Sequence, residues 1–207
     1  NPPGNQLFTN NGNGTFTGQN QFGPSGPFVP ATFALAWGDF DNDGDLDIAT
    51  TNSTGSSVGV LRSAGPGAFV GAVNFIAHNG PIAVTTGDYD HDGFVDALVA
   101  NESSNDVTLL HGNGRGSFRT PLNSPAGAHP NAVTSADFAG RGAVDAVVAS
   151  IGGQSIMFLR NNLTGGFVAP KSIAVAGRVG KMVPIDINRD GLPDLVDARN
   201  WQNNGLW

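Results

Sequence analysis

Asp39, Asp88, Asp137 and Asp186 stand at a constant spacing of 49 residues in a chain of 207. Each opens a nine-residue segment: DFDNDGDLD, DYDHDGFVD, DFAGRGAVD and DINRDGLPD. A fixed period of this length restricts the chain to repeat architectures, in which each unit buries its apolar faces against its neighbours. It also means that any chemistry built into one segment recurs at the same place in the next unit.

Residues 82–130 serve as one unit. IAVTTGDY leads into the acidic segment, ALVANE follows it, VTLLHG comes next, and a fourth run begins at SFRTPL after the turn GNGRG. Short apolar runs punctuated by Gly and Asn are strand and hairpin signals. Thirty glycines and thirteen prolines, with no sustained 3.6-residue periodicity, argue against helices. Four strands in 49 residues is the size of one propeller blade. Leu61, Leu110 and Leu159 share one repeat position, and Phe69, Phe118 and Phe167 share another, as expected of an inter-blade core. The expected fold is therefore an all-β β-propeller. It forms a single domain over residues 1–207, with four four-stranded repeats starting near 33, 82, 131 and 180.

The two ends are out of phase. QLFTNNGNGTF, residues 6–16, matches the third and fourth strands of a repeat, whereas KMVPIDINRDGLPDLVDA supplies the first two. Pairing the N-terminal hairpin with the C-terminal strands, within one chain or between chains, would remove a free sheet edge. The tail WQNNGLW reads as the start of a further hairpin.

The charge is concentrated in the repeat. Of 17 acidic residues, 14 lie in the four segments, and Glu102, Asp106 and Asp197 are the remainder. Three divalent ions would bring +6 against a net charge of -7. Ten scattered Lys and Arg form no basic patch, so nucleic acid is not an expected partner. No run of about 18 apolar residues predicts a membrane span. The opening NPPGNQLF has neither a charged nor an apolar segment and does not read as a signal peptide, which leaves a mature secreted form as the expectation. The chain has no cysteine, which excludes disulfide and thiol chemistry.

Carboxylates at positions 1, 3, 5 and 9 around a Gly at position 6 are a calcium-loop pattern. In the first loop Asp39, Asp41 and Asp43 offer side-chain oxygens, Asp45 its backbone carbonyl, and Asp47 closes the shell. The second loop offers Asp88, Asp90, Asp92, the carbonyl of Phe94, and Asp96. The fourth offers Asp186, Asn188, Asp190, the carbonyl of Leu192, and Asp194. Six or seven hard oxygens suit Ca2+ rather than zinc or copper. The third loop has Ala139 and Arg141 at positions 3 and 5, so three ions per chain are expected, with the Arg141 guanidinium between Asp137 and Asp145. An EF-hand is not expected, because the flanks are β-like and position 12 is Thr50, Val99 and Val148 in the first three loops.

GDFDNDGDLDIATTN and GDYDHDGFVDALVANE, each followed by an apolar strand and an NGxGxF-type turn, resemble the FG-GAP/VCBS repeats of integrin α-chains and of many secreted microbial proteins and lectins. The resemblance implies a β-propeller with a calcium loop joining the first two strands of each blade. It implies an extracellular recognition or adhesion module for glycan or protein, as in the lectins and receptors of that family. Millimolar calcium outside cells would fill even weak loops. The alternatives are a structural subunit of a head-to-tail assembly, through exchange of the terminal hairpin, and an accessory domain of a secreted enzyme.

No catalytic constellation is expected. His111 occupies the repeat position of Arg62 and Arg160, and His78 and His129 stand just before prolines. Trp37, in contrast, replaces Thr86, Ser135 and Pro184 of the other repeats and offers an aromatic face to a sugar or partner; Trp201 and Trp207 lie in the tail. Sequons fall at Asn13, Asn52, Asn101 and Asn162.

Overall fold

The computed structural model describes residues 7–19 and 32–198. The tail WQNNGLW, with Trp201 and Trp207, lies outside the described residues. Three sheets are four-stranded and antiparallel, each with its strands in chain order. Blade one comprises β3 (Thr32–Gly38), β4 (Asp47–Asn52), β5 (Ser57–Leu61) and β6 (Val73–Ile76). Blade two comprises β7 (Pro81–Gly87), β8 (Asp96–Asn101), β9 (Asp106–Leu110) and β10 (Leu122–Pro125). Blade three comprises β11 (Pro130–Ala136), β12 (Asp145–Ser150), β13 (Ser155–Leu159) and β14 (Lys171–Ala174). Of the fourth repeat, β15 (Lys181–Ile185) pairs with β16 (Asp194–Ala198). The N-terminal hairpin is β1 (Leu7–Asn10) and β2 (Phe16–Gln19).

In the three four-stranded blades the second strand is buried because both of its faces are covered by adjoining sheets, and the third is buried or half-buried. Asp47–Asn52, Asp96–Asn101 and Asp145–Ser150 are buried at every position. Such strands read as near-continuous apolar runs rather than alternating ones, and DALVAN and DAVVAS do. The core between blades one and two joins Phe40, Ala49, Val58 and Val60 to Ala97, Val99 and Leu110. Between blades two and three, Leu98, Val107 and Leu109 meet Ala146, Val148 and Leu159. Leu110 and Phe118 belong to the first of these cores and Leu159 and Phe167 to the second, whereas Leu61 and Phe69 pack with Leu7 and Ile48 in a separate cluster on blade one. Phe118 stands edge-on to Phe40 at 5.6 Å, and Phe167 stands edge-on to Tyr89 at 5.7 Å.

The fourth strand starts later than the sequence indicates. Ser117–Phe118 does not open a strand; Phe118 makes a single bridge to Gly112, and β10 begins at Leu122. Arg119 N–H donates to the His111 carbonyl at 2.8 Å, so this stretch folds back on the end of β9. Pro121, which has no N–H to give a ladder, separates it from β10.

The turn geometry fixes the phase of the hairpin. Asn11 N–H bonds to the Thr15 carbonyl, just as Ala64 does to Ala68, Asn113 to Ser117 and Asn162 to Gly166. Counting back three residues, Phe8 corresponds to Leu61, Leu110 and Leu159; counting on five, Phe16 corresponds to Phe69, Phe118 and Phe167. The hairpin is thus the end of a third strand and its return. Among the described residues no ladder joins β1–β2 to β15–β16. Leu7 instead packs beside Ile48 and Leu61 of blade one.

The first strands line the middle of the molecule, β3 beside β7, β7 beside β11, and β11 beside β15. They surround a cavity of about 830 Å³ whose walls include Phe33, Leu35 and Trp37 of β3, Val84 of β7, Val133 of β11 and Val183 of β15. Two of the sequons are closed to modification in the folded chain, because Asn52 and Asn101 are wholly buried. No helix among the described residues is long and apolar enough to cross a membrane.

Candidate metal loops

Every acidic loop joins the first strand of a blade to the second, and all four share one hydrogen-bond scaffold. The position-1 carboxylate accepts from the N–H groups at positions 5 and 6. Asp39 accepts from Asp43 and Gly44, Asp88 from Asp92 and Gly93, Asp137 from Arg141 and Gly142, and Asp186 from Asp190 and Gly191. Positions 4 and 6 are both left-handed. At position 4 stand Asn42, His91 and Arg189 (φ about 60°), and at position 6 Gly44, Gly93 and Gly191. His91, which has no counterpart in the other loops, is therefore a backbone position rather than a site residue.

Asp47, Asp96, Asp145 and Asp194 at position 9 face the chain. Asp47 accepts from Phe40 N–H at 2.9 Å and Ser63 N–H at 2.8 Å. Asp96 accepts from Tyr89 N–H at 2.7 Å and Gly112 N–H at 2.8 Å. Asp145 accepts from Asn161 N–H, and Asp194 from Ile187 N–H. Asp47, Asp96 and Asp145 thereby staple the loop to the residues just after the third strand. Burial pushes the Asp47 carboxyl above its ordinary range.

The remaining carboxylates converge. Asp39, Asp41 and Asp43 bring oxygens within 4.8 Å of one another, and so do Asp88, Asp90 and Asp92. Asp41 Oδ1 is buried without a hydrogen-bond partner. Burial, and then the charge of Asp96, raises the Asp90 carboxyl. In loop four, Asn188 Nδ2 donates to Asp190 Oδ2 at 3.0 Å. Crowded oxygen donors, one of them orphaned at Asp41, fit a hard divalent cation. The N–H groups of Asp45, Phe94 and Leu192 donate to the position-5 carboxylates, which fixes the peptide units on either side of position 7.

Loop three keeps the scaffold without those donors. Arg141 differs from expectation in one respect. Its guanidinium Nη2 reaches Asp145 Oδ1 at 2.9 Å and the Asn161 carbonyl at 3.3 Å, while Asp137 is met by the Arg141 backbone N–H. The scaffold itself requires that backbone bond at position 5, so the side chain is directed to the other end of the loop. These backbone donors, Arg141 N–H first, hold the Asp137 carboxyl below its usual range.

Loops one and two are also blade junctions. Gly116 N–H in the turn of blade two donates to the Phe40 carbonyl at 2.8 Å, and Asn161 Nδ2 of blade three donates to the Tyr89 carbonyl at 2.8 Å. His111 belongs to this junction and not to an ordinary strand position. Its ring lies among Asp90, Asp96 and the Gly165 carbonyl. Sequence spacing missed it because Gly165 lies 54 residues away in the next blade.

The bond to Asp96 raises the His111 pKa, against the opposing effect of burial. A raised folded value stabilises below the free imidazole pKa of about 6.5 and loses that contribution as pH rises through the folded value. Ion-stripped protein should therefore melt at falling temperatures as pH climbs from about 6.5, and His111→Gln should flatten that slope. Thermal scans in chelator across this range measure it.

Elsewhere, His78 Nδ1 contacts Asp106, and Ser104 Oγ donates to the same carboxylate rather than to the ring. Trp37 is 45% exposed, with Phe69 at 6.3 Å on one side.

The sequence profile described as FG-GAP-like repeat matches residues 1–50, 39–99, 88–148 and 137–196. No curated protein matches the chain. Among solved structures, one showing specific recognition of non-reducing terminal N-acetylglucosamine by an Agrocybe aegerita lectin superposes with a TM-score of 0.63 at 20% identity. It covers 93% of this chain and 54% of that one. A Photorhabdus luminescens Tc holotoxin pore gives 0.51 at 18% identity, covering 95% and 10%. The V. cholerae biofilm matrix protein Bap1 gives 0.50 at 16% identity, covering 83% and 29%. The chain thus spans about half the length of the lectin chain.

Proposed function

The chain belongs to the FG-GAP-like repeat family, and on that footing we propose a non-catalytic, extracellular, calcium-binding module that recognises glycans. The ions would be held by Asp39, Asp41 and Asp43, by Asp88, Asp90 and Asp92, and by Asp186, Asn188 and Asp190. Asp45, Phe94 and Leu192 would add their carbonyls, and Asp47, Asp96 and Asp194 stand at the closing position. Bound calcium supplies positive charge where the loops crowd carboxylates. The protein's own residues hold the loop in shape beforehand.

The observation that carries the glycan reading is Trp37. It stands half-exposed in the wall of the central cavity, at a position that no other repeat fills with an aromatic. A flat aromatic face beside polar groups suits a sugar ring, apolar on one side and hydroxylated on its edge. The lectin neighbour supports the same class of ligand. A glycan array probed in calcium should give a defined set of sugars, and Trp37→Ala should weaken binding by more than about tenfold, or about 1.4 kcal/mol. An array without binding, or binding indifferent to Trp37→Ala, overturns this reading.

A second reading, a head-to-tail structural subunit, draws on the hairpin. Phe8 is 60% exposed, yet its counterparts Leu61, Leu110 and Leu159 are at most 1% exposed. β16 has no third strand among the described residues, and the hairpin of another copy offers one. Light scattering in calcium separates the readings. An assembly yields a ladder of masses that deletion of residues 1–17 collapses to folded monomer, whereas a recognition module stays at one mass.

A further inference from the structure

We propose that blade two carries a second kind of metal site, in which His111 Nδ1, Asp90 Oδ2 and Asp96 Oδ2 hold a divalent transition ion of the zinc class beside the hard-cation loop. The orientation of His111 is the starting point. Its Nε2 lies 2.8 Å from the Gly165 carbonyl oxygen. A carbonyl only accepts, so Nε2 carries a proton, and Nδ1 is the ring atom turned away from Gly165. Nδ1 faces Asp96 Oδ2 at 3.4 Å and Asp90 Oδ2 at 3.5 Å. One nitrogen and two carboxylates thus bring ligand atoms within 4.8 Å of one another, close enough to share a cation.

The distances select the cation. Four-coordinate zinc, with bonds of about 2.0–2.1 Å to nitrogen and oxygen, places neighbouring ligands about 3.3–3.4 Å apart, the edge of a tetrahedron. The two separations from Nδ1, 3.4 and 3.5 Å, lie at or just beyond that edge. The Nε2–H bond to a backbone carbonyl is the orienting contact that metal-bound imidazoles make on their far side. The pocket is also sheltered: the side chains of His111, Asp90 and Asp96 are 11%, 15% and 0% exposed.

The sister blade supplies an internal comparison. Where blade two has His111, blade one has Arg62, whose Nη1 lies 3.3 Å from Asp41 Oδ2. Asp41 is the counterpart of Asp90. Blade one thus brings a guanidinium to this carboxylate, whereas blade two brings an imidazole nitrogen beside the Arg119 guanidinium. A mixed nitrogen and oxygen set suits zinc-class ions over calcium.

The two sites of blade two share Asp90 and Asp96. Asp90 Oδ1 accepts the Asp92 N–H within the loop at 3.3 Å, and Oδ2 faces His111. Arg119 is the competitor. Its Nη1 lies 2.9 Å from Asp90 Oδ2 and its Nη2 reaches Asp92. Its half-exposed side chain would have to swing away for a metal to bind.

The test uses the full chain, stripped of metal, returned to excess calcium and titrated with Co2+ as the spectroscopic probe. One cobalt per chain should bind, with the intense visible bands of four-coordinate cobalt, and Zn2+ should displace it. His111→Arg installs the residue of blades one and three, and so preserves the junction. It should abolish the bands and weaken binding by more than about 100-fold, beyond the cost of losing an outer-shell contact. His111→Gln is the second variant and should behave alike, while His78→Gln should bind cobalt as the parent does. Absence of one-to-one binding in the parent, or bands that persist in folded His111→Arg or His111→Gln, overturns the proposal. Calcium stoichiometry, measured separately on the same samples, reports on the loops independently.

Discussion

Stripping calcium should lower the melting temperature by roughly 16–32 °C. A ligand present at a hundredfold excess over its Kd stabilises by about 2.7 kcal/mol per site, so three sites give about 8 kcal/mol; a chain of this size shifts by about 2–4 °C per kcal/mol. The physical source is the crowding of Asp39, Asp41 and Asp43, and of Asp88, Asp90 and Asp92, whose oxygens stand within 4.8 Å of one another. Without calcium these like charges repel across the turn, offset in part by the half-exposed guanidinium groups of Arg62 and Arg119. Calorimetry with and without chelator measures the effect, alongside metal analysis that should return three calcium ions per chain. An unchanged melting temperature sinks the calcium reading. Within the first loop, Asp43→Ala should cost more in calcium than Asp45→Ala, because Asp45 is expected to contribute its backbone carbonyl.

Asp96→Ala should destabilise by about 2–6 kcal/mol, in chelator as well as in calcium. Asp96 is wholly buried and accepts the N–H groups of Tyr89 and Gly112. Each buried donor left without an acceptor costs about 1–3 kcal/mol. Asp92→Ala, in contrast, removes a converging carboxylate and should lose most of its effect once calcium is gone. Denaturant unfolding of both variants under both conditions separates the scaffold role from the ligand role. Equal calcium dependence in the two variants would contradict that division.

The repeat, the β architecture and the position of the loops between first and second strands were legible in the sequence, because period and strand pattern are local properties. The division of labour within a loop was not. Asp41 and Asp47 look alike in DFDNDGDLD, yet one holds an orphaned oxygen and the other accepts two backbone N–H groups. Spacing reports which residues recur, not which way a carboxylate points. His111 was illegible for a different reason: the carbonyl that sets its tautomer comes from the next blade, and sequence alone gives no measure of how closely a turn approaches its neighbour. The late start of β10 follows from Arg119 folding back onto His111, also a tertiary effect. Loop three gave half its answer. The loss of donors at Ala139 and Arg141 was plain, but the partner of the guanidinium was not, since the main chain had already claimed Asp137.

That third loop has a mechanical corollary. Its clasp is covalently part of the chain, so it cannot be diluted away, and it sits where blade three meets blade four, with Gly140 close beside the Leu192 side chain. On the proposed calcium reading, the loops at the other two seams depend on an ion that comes and goes with the surroundings. In a medium of falling calcium the molecule should not soften evenly. It should part first along the seams after blades one and two, while the rear of the arc stays clamped, so that the supply of a solute decides where the protein yields under load.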